Sequence, residues 1–411
     1  MKQNKWIIKI MSSFLLCIFC LSTCCFAVED TSFVWSSQDE SILTSASENN
    51  PVATNLNLEC GGAILIEQNS GKVLYDHNMH QQLRPASVTK VMTILLIMEA
   101  LDGGRISLDT PIPCSQNASS MGGSQIWLDV KETLTVHEML KAICVVSAND
   151  CTVAMAEYLA GSEEAFVMQM NEKAKALGMN DTCFKNCHGI DEDGHITSAY
   201  DIALMSRELL TKHPMITNYT TIWMDSLRDG KSELVNTNKL IRNYKGATGL
   251  KTGSTSVALY NLSASATRDG LSLIAVIMKA PSTKVRFAEA TKLLDYGFSQ
   301  YAYQEFGKKD DLVKQIPVTK GINDSVNAIL EDSCGALIKK GESKDLEQSI
   351  TLEDSISAPV SKGQKLGEIT YTFHGEVVGT TNVIAEKEIP KLTLWSMASS
   401  LYQSWFSLLR N

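Results

Sequence analysis

No cluster of lysines and arginines occurs in the 411-residue chain, and the balance is acidic: 46 Asp and Glu against 37 Lys and Arg, a formal net charge of −9. A phosphate backbone is bound by a basic surface, so nucleic acid is excluded as a partner. Charged residues make up only 20% and hydrophobic residues 44%. That mixture excludes a disordered chain and describes a folded protein, with a length suited to two domains plus tails. Metal chemistry lacks a ligand set. Cys183-x-x-x-Cys187-His188 suggests a metal or haem site, but the spacing is one too long for haem attachment and no second ligand cluster accompanies it. A chance pair or a disulfide is the plainer reading. No metal and no cofactor is expected.

What is present begins with an export signal. Lys2, Lys5 and Lys9 precede an apolar run from Ile10 to Phe26 that ends in Ala27, the pattern of a cleaved secretory peptide over 1–27 rather than a spanning helix. Leu21-Ser-Thr-Cys24 loosely resembles a lipoprotein box, so lipidation at Cys24 is the alternative to cleavage after Ala27. Four of the eleven cysteines leave with this segment, and seven remain. An odd number outside the cytoplasm requires a free thiol or an intermolecular bond. Cys144 and Cys151 lie in apolar helical stretches and read as small core residues.

Residues 28–55 are rich in Ser, Asn, Thr and acids and read as a flexible leader. A first domain is expected over 56–297. Asn69-Ser-Gly71 separates two apolar runs, a hairpin signal. Thr135-Val-His-Glu138 is a capping box that opens a helix. That helix breaks at Ser147-Ala-Asn-Asp150, which reads as an interior connecting loop, and resumes at Cys151. Further helices run from Glu163 to Leu177, Ile202 to Leu210 and Lys284 to Tyr296, with strands at Gly249–Thr255, Leu259–Ala264 and Leu271–Met278. Hairpin, helices, antiparallel strands and a closing helix give an α+β fold, a sheet with a helical lobe. Residues 298–388 alternate in short runs and read as a small all-β domain. Over 389–411 an apolar face carrying Trp395, Tyr402 and Trp405 opposes a serine-rich one. This describes an amphipathic helix lying in a membrane interface, too polar to span.

The chemistry starts at Pro85-Ala-Ser-Val-Thr-Lys90. Residues three apart on a helix share a face, which sets the Ser87 hydroxyl beside the Lys90 amine. A lysine buried against apolar neighbours loses its proton near neutral pH and can take the serine's. Alone, Ser-x-x-Lys is weak. Here Ser147-x-Asn149 follows 60 residues later and Lys251-Thr-Gly253 another 104 residues on. The three together form the set of serine β-lactamases and penicillin-binding proteins.

With these motifs, and with Met121-Gly-Gly-Ser124, Asn186-Cys-His-Gly189, Ser198-Ala-Tyr-Asp201 and Asn236-Thr-Asn-Lys239, the chain resembles the low-molecular-mass penicillin-binding proteins, the serine-type D-alanyl-D-alanine carboxypeptidases. The resemblance implies a penicillin-binding, β-lactamase-like domain followed by the β domain and the tail. It also implies an extracytoplasmic enzyme on the outer face of the cytoplasmic membrane, acting on D-Ala-D-Ala stem peptides and acylated by β-lactams. Ser87 is the expected nucleophile and Lys90 its base. Ser147 relays a proton to the leaving amine, and Asn149 holds the substrate amide. Lys251 and Thr252 take the terminal carboxylate, with Arg286 as a second clamp. The backbone N–H groups of Ser87 and of Ser254, after Gly253, are the implied oxyanion donors. His188 and Asp201 are expected to be structural. A β-lactamase is the alternative, but nothing resembling its deacylating Glu-x-x-Leu-Asn loop lies between Asn149 and Lys251. Endopeptidase or transpeptidase action on crosslinks uses the same residues and stays open. A wall-binding protein with an idle site is opposed by the intact motifs.

Overall fold

The computed structural model describes residues 55–341, 346–373, 375–395 and 397–398. The export signal, all but the last residue of the leader, and most of the expected tail helix lie outside these.

Strand β1 (Gly62–Glu67) is buried along its whole length. Successive side chains on a strand point to opposite faces, so an unbroken apolar run needs cover on both. Ile64 and Ile66 face a large cluster built with the helices, whereas Ala63 and Leu65 join a second cluster with Leu293 and Leu294 of the closing helix. The hairpin partner β2 (Val73–His77) turns through Gly71, at φ +74°.

The helical lobe follows. Helix α1 (Lys90–Asp102) is entered through a 3-10 turn at Ala86–Thr89. Helix α2 (Val136–Val145) carries the complete Thr135/Glu138 capping box. Helix α3 (Asn149–Ala160) resumes two residues earlier than the sequence suggests. The Asp150 carboxylate accepts from the Cys151 N–H at 2.9 Å, which fills an unpaired first-turn donor, so only Val146, Ser147 and Ala148 are left between the helices. Helices α4 (Glu163–Ala176) and α5 (Ala199–Lys212) begin at serine caps, Ser162 and Ser198. A hairpin unannounced by the sequence reading comes next, β3 (Met224–Leu227) with β4 (Ser232–Val235).

Three long strands close the sheet: β5 (Ala247–Thr255), β6 (Leu259–Arg268) and β7 (Leu271–Ala280). The order is β2-β1-β7-β6-β5, antiparallel throughout, so the Lys251-Thr-Gly253 strand lies at an edge. Helix α6 (Thr283–Gln300) runs past the expected boundary at 297, because Gly297 and Phe298 continue its apolar face against the sheet.

The C-terminal region is all β, from a strand at Tyr301–Gly307 to one at Glu376–Ala385. It contains a two-stranded sheet and a six-stranded sheet over its own core, including Ile316, Val326, Leu366 and Val383. Of the expected tail helix, residues 394, 395, 397 and 398 are described and helical. Leu394 and Trp395 are exposed there. Among the described residues no helix is long and apolar enough to cross a membrane.

All seven described cysteines are free. The Cys183–Cys187 disulfide entertained from the sequence is not formed, and among the described residues no group of three or more His, Cys, Asp or Glu could hold a metal.

Candidate active site

The 3-10 turn sets Ser87 half exposed while Lys90 is fully buried. Ala86, just before the serine, sits at φ +47°. It is held by a relay: Thr89 Oγ1 donates to the Ala86 carbonyl at 2.8 Å and lies 2.8 Å from His195 Nε2. His195 Nδ1 accepts from the Lys185 N–H at 3.0 Å, so Nε2 carries the proton and donates to Thr89. Burial pushes the His195 imidazole down to about 4, in keeping with that neutral tautomer.

Lys90 Nζ has three oxygens within reach: Ser87 Oγ at 3.0 Å, Asn149 Oδ1 at 2.6 Å and the His188 carbonyl at 2.7 Å. Two of these can only accept. A neutral amine has two N–H groups and one lone pair, and the two short contacts use both N–H groups. The lone pair is left facing the Ser87 hydroxyl. Burial drives the Lys90 amine well below its ordinary range, and the positive charge of Lys251 pushes it further. Cys187 and Asp150 oppose the shift but are lesser causes.

Backbone groups outside the motifs complete this geometry. His188 Nδ1 accepts from the Ile190 N–H at 3.1 Å, and Nε2 faces Glu163 at 3.4 Å. Burial, with Lys90 and His195 nearby, lowers His188 to about 3. Its imidazole is therefore neutral, and the residue serves through its carbonyl. Gly189, at φ +91°, passes so close to the nucleophile's turn that a Cβ would stand 1.9 Å from the Ala86 carbonyl oxygen.

Asn149 donates to the Gly122 carbonyl at 2.7 Å, and its backbone N–H to Ser124 at 2.7 Å. Asp150 accepts from the N–H groups of Ile126 and Leu128, each at 3.1 Å. The segment 122–128 is thus bonded along the Ser147–Asp150 connection. Ser147 sits at φ +67°, and its Oγ is buried without a partner. A buried hydroxyl left unpaired costs free energy, so one retained here points to a group arriving from outside.

On the opposite side, Lys251 is buried and donates to the Thr252 carbonyl at 2.9 Å. Burial first, then the charge of Arg286, lowers its amine to about 7. Thr252 Oγ1 donates to Thr237 Oγ1 at 2.7 Å. Ser254 is exposed after it. Arg286 is buried and donates to the carbonyls of Gly253 and Asn261, both at 3.2 Å, with Nε unpartnered. It is thus a buried residue held against the Lys251 strand through Nη1. Its Nη1 is committed to the paired strands β5 and β6, and Phe287 lies under its guanidinium.

The family model for D-alanyl-D-alanine carboxypeptidases matches residues 46–282, and that for the penicillin-binding protein 5 C-terminal domain matches 301–391. The chain is 47% identical over 337 residues to the D-alanyl-D-alanine carboxypeptidase DacF of Bacillus subtilis, covering 81% of this chain and 86% of that one. It is 33% identical to DacA of Escherichia coli, over 80% of this chain and 83% of that one. Among solved structures, penicillin-binding protein 5 from Haemophilus influenzae superposes with a TM-score of 0.65 at 28% identity, covering 82% of this chain and all of that one. The ampicillin-bound penicillin-binding protein D2 of Listeria monocytogenes covers 59% of this chain and 99% of its own, with a TM-score of 0.55 at 30% identity.

Proposed function

The chain belongs to the D-alanyl-D-alanine carboxypeptidase family, and from that membership and the chemistry of the cleft we infer how its residues carry the reaction. The protein is a serine DD-carboxypeptidase that binds penicillin, and it removes the terminal D-alanine of a D-Ala-D-Ala peptide. The observation that carries the mechanism is the three-oxygen cradle of Lys90, in which two acceptors take its N–H groups and its lone pair is directed at Ser87.

Ser87 Oγ attacks the carbonyl carbon of the penultimate D-alanine, and its proton passes to Lys90 Nζ. The negative charge that develops on the carbonyl oxygen is held by the backbone N–H groups of Ser87 and Ser254. One such donor is worth about 3 kcal/mol of transition-state stabilisation. The C–N bond then breaks, with Ser147 carrying a proton from Lys90 to the departing amine. Water attacks the remaining ester and returns Ser87. Asn149 holds Lys90 and the substrate amide. Lys251 and Thr252 hold the free carboxylate, and Arg286 fixes the strand at Gly253 and adds positive field. The closeness of Gly253 to the Ser87 turn supports the oxyanion assignment.

We assign 1–27 to an export signal, 28–55 to a leader, and the catalytic domain to the stretch from 56 to α6. On this reading the 389–411 tail lies in the membrane interface, so the enzyme works outside the cytoplasm on the stem peptides of peptidoglycan. The exposed Leu394 and Trp395 support that tail assignment. The test is release of D-alanine from diacetyl-L-Lys-D-Ala-D-Ala. Release is expected from the native chain and absent from Ser87→Ala. Equal release by both would overturn the mechanism.

A further inference from the structure

Trp127 stands 74% exposed on the segment that holds Asn149, at φ +54°. A bulky side chain in the left-handed region is unusual and costs about 1–3 kcal/mol unless its surroundings hold it. Here they do. Asp150 takes the N–H groups on either side of it, those of Ile126 and Leu128. Arg228, at the hairpin turn between β3 and β4 and locked to Glu132 at 2.6 Å, donates to the Ile126 carbonyl at 2.8 Å and to the Trp127 carbonyl at 3.2 Å. Ile126 and Leu128 are buried, and the residue between them is turned outward. With its amide oriented to satisfy both its atoms, Gln125 donates to the Met121 carbonyl at 2.7 Å and accepts from Trp127 Nε1 at 3.1 Å. The indole is therefore fixed in orientation while its surface stays open. An aromatic group ordered in advance binds at little entropic cost.

We propose that Trp127 is a specificity-determining residue: its face receives the side chain of the amino acid preceding D-Ala-D-Ala, a diamino acid whose aliphatic stem ends in an ammonium group. This rests on the carboxypeptidase reading and deepens it. On that reading Lys251 and Thr252 take the substrate's carboxylate, whereas Trp127 belongs to the segment bonded to Asn149, the residue assigned to the substrate amide. Three chain steps, about 11 Å of extended chain at most, separate Trp127 from Ser124, whose carbonyl is bonded to the Asn149 N–H. The residue before the D-Ala-D-Ala pair is within a few chain steps of Ser87. Methylene groups pack on an indole face, and an ammonium group is attracted to it.

The test compares kcat/KM of the full chain for Nα-acetyl-L-Lys-D-Ala-D-Ala and Nα-acetyl-L-Ala-D-Ala-D-Ala with the rate of acylation by benzylpenicillin. The native enzyme should favour the lysyl peptide. Trp127→Ala should lower kcat/KM for that peptide about tenfold, leave the alanyl peptide and penicillin unaffected, and so erase the preference. Trp127→Phe should keep most of it. Equal handling of the two peptides by the native enzyme overturns this proposal alone. An equal loss on both peptides and penicillin also overturns it, since that marks a merely structural residue. Release of D-alanine from neither peptide overturns the underlying reading as well.

Discussion

A Cβ on Gly253 would stand 2.8 Å from the backbone nitrogen of Ser87 and the same distance from that of Val88. Backbone cannot yield as a flexible side-chain tip can, so any larger residue drives the edge strand and the nucleophile's turn apart. Gly253→Ala is expected to cut penicillin acylation by about 10²-fold or more, the cost of a misplaced oxyanion donor, while the protein stays folded. A normal rate in the alanine variant, measured by stopped-flow, would remove Ser254 from the oxyanion assignment.

The pH dependence follows from two amines with opposite tasks. Lys90 works neutral, so acylation is lost as pH falls through its lowered pKa. Lys251 works charged, and with its amine lowered to about 7 its contribution is lost as pH rises through that region. The profile of kcat/KM, which reports the free enzyme, should therefore be bell-shaped. Lys251→Arg keeps its charge to high pH and should move the descending limb upward. A descending limb that stays in place in this variant would show that another group sets it.

Ser147 separates catalysis from stability. Its hydroxyl is buried and unpartnered, so Ser147→Ala removes no bond from the folded protein. D-alanine release should fall by about 10²–10⁴-fold, as for loss of a proton-transfer group, with the melting temperature unchanged or slightly higher. A marked drop in melting temperature with a proportionate loss of activity would assign it a structural role instead.

The thiols offer an independent check on the core. Six of the seven described cysteines are buried, and Cys183 alone is partly exposed. Burial raises Cys144 to about 12 and Cys114 to about 11, which suppresses the reactive thiolate. Titration with an aromatic disulfide reagent should modify about one thiol among these seven in the native protein and all of them after denaturation. A reducing agent should not alter the melting temperature. Rapid modification of several native thiols would contradict this packing.

Much of this site is readable in the sequence because its groups are side chains with short local spacing. Ser87 and Lys90 share one turn, and the capping box of α2 marks the approach to Ser147 and Asn149. Other parts carry no such signature. The second acceptor for Lys90 is the His188 carbonyl, and a backbone oxygen looks the same at every residue. Asp150 reads only as part of an interior connecting loop, and nothing in its neighbours names its partners, N–H groups more than twenty residues away in sequence. Arg286 opens a helix and reads as a free clamp. Only the packing of that helix on the sheet shows its Nη1 bonded to the carbonyls of Gly253 and Asn261. The β3–β4 hairpin goes unread because its strands are four residues each, too short to show a clear alternation.

The most direct measurement is the mass and position of the adduct formed with benzylpenicillin. Intact-protein mass spectrometry followed by peptide mapping should find one penicilloyl group per chain, on Ser87. Lys90→Ala should retain the fold and Ser87 but form the adduct at least about 10²-fold more slowly, as expected for loss of a general base. An adduct on any other residue, or an undiminished rate without Lys90, would contradict the pairing of a serine nucleophile with an uncharged lysine.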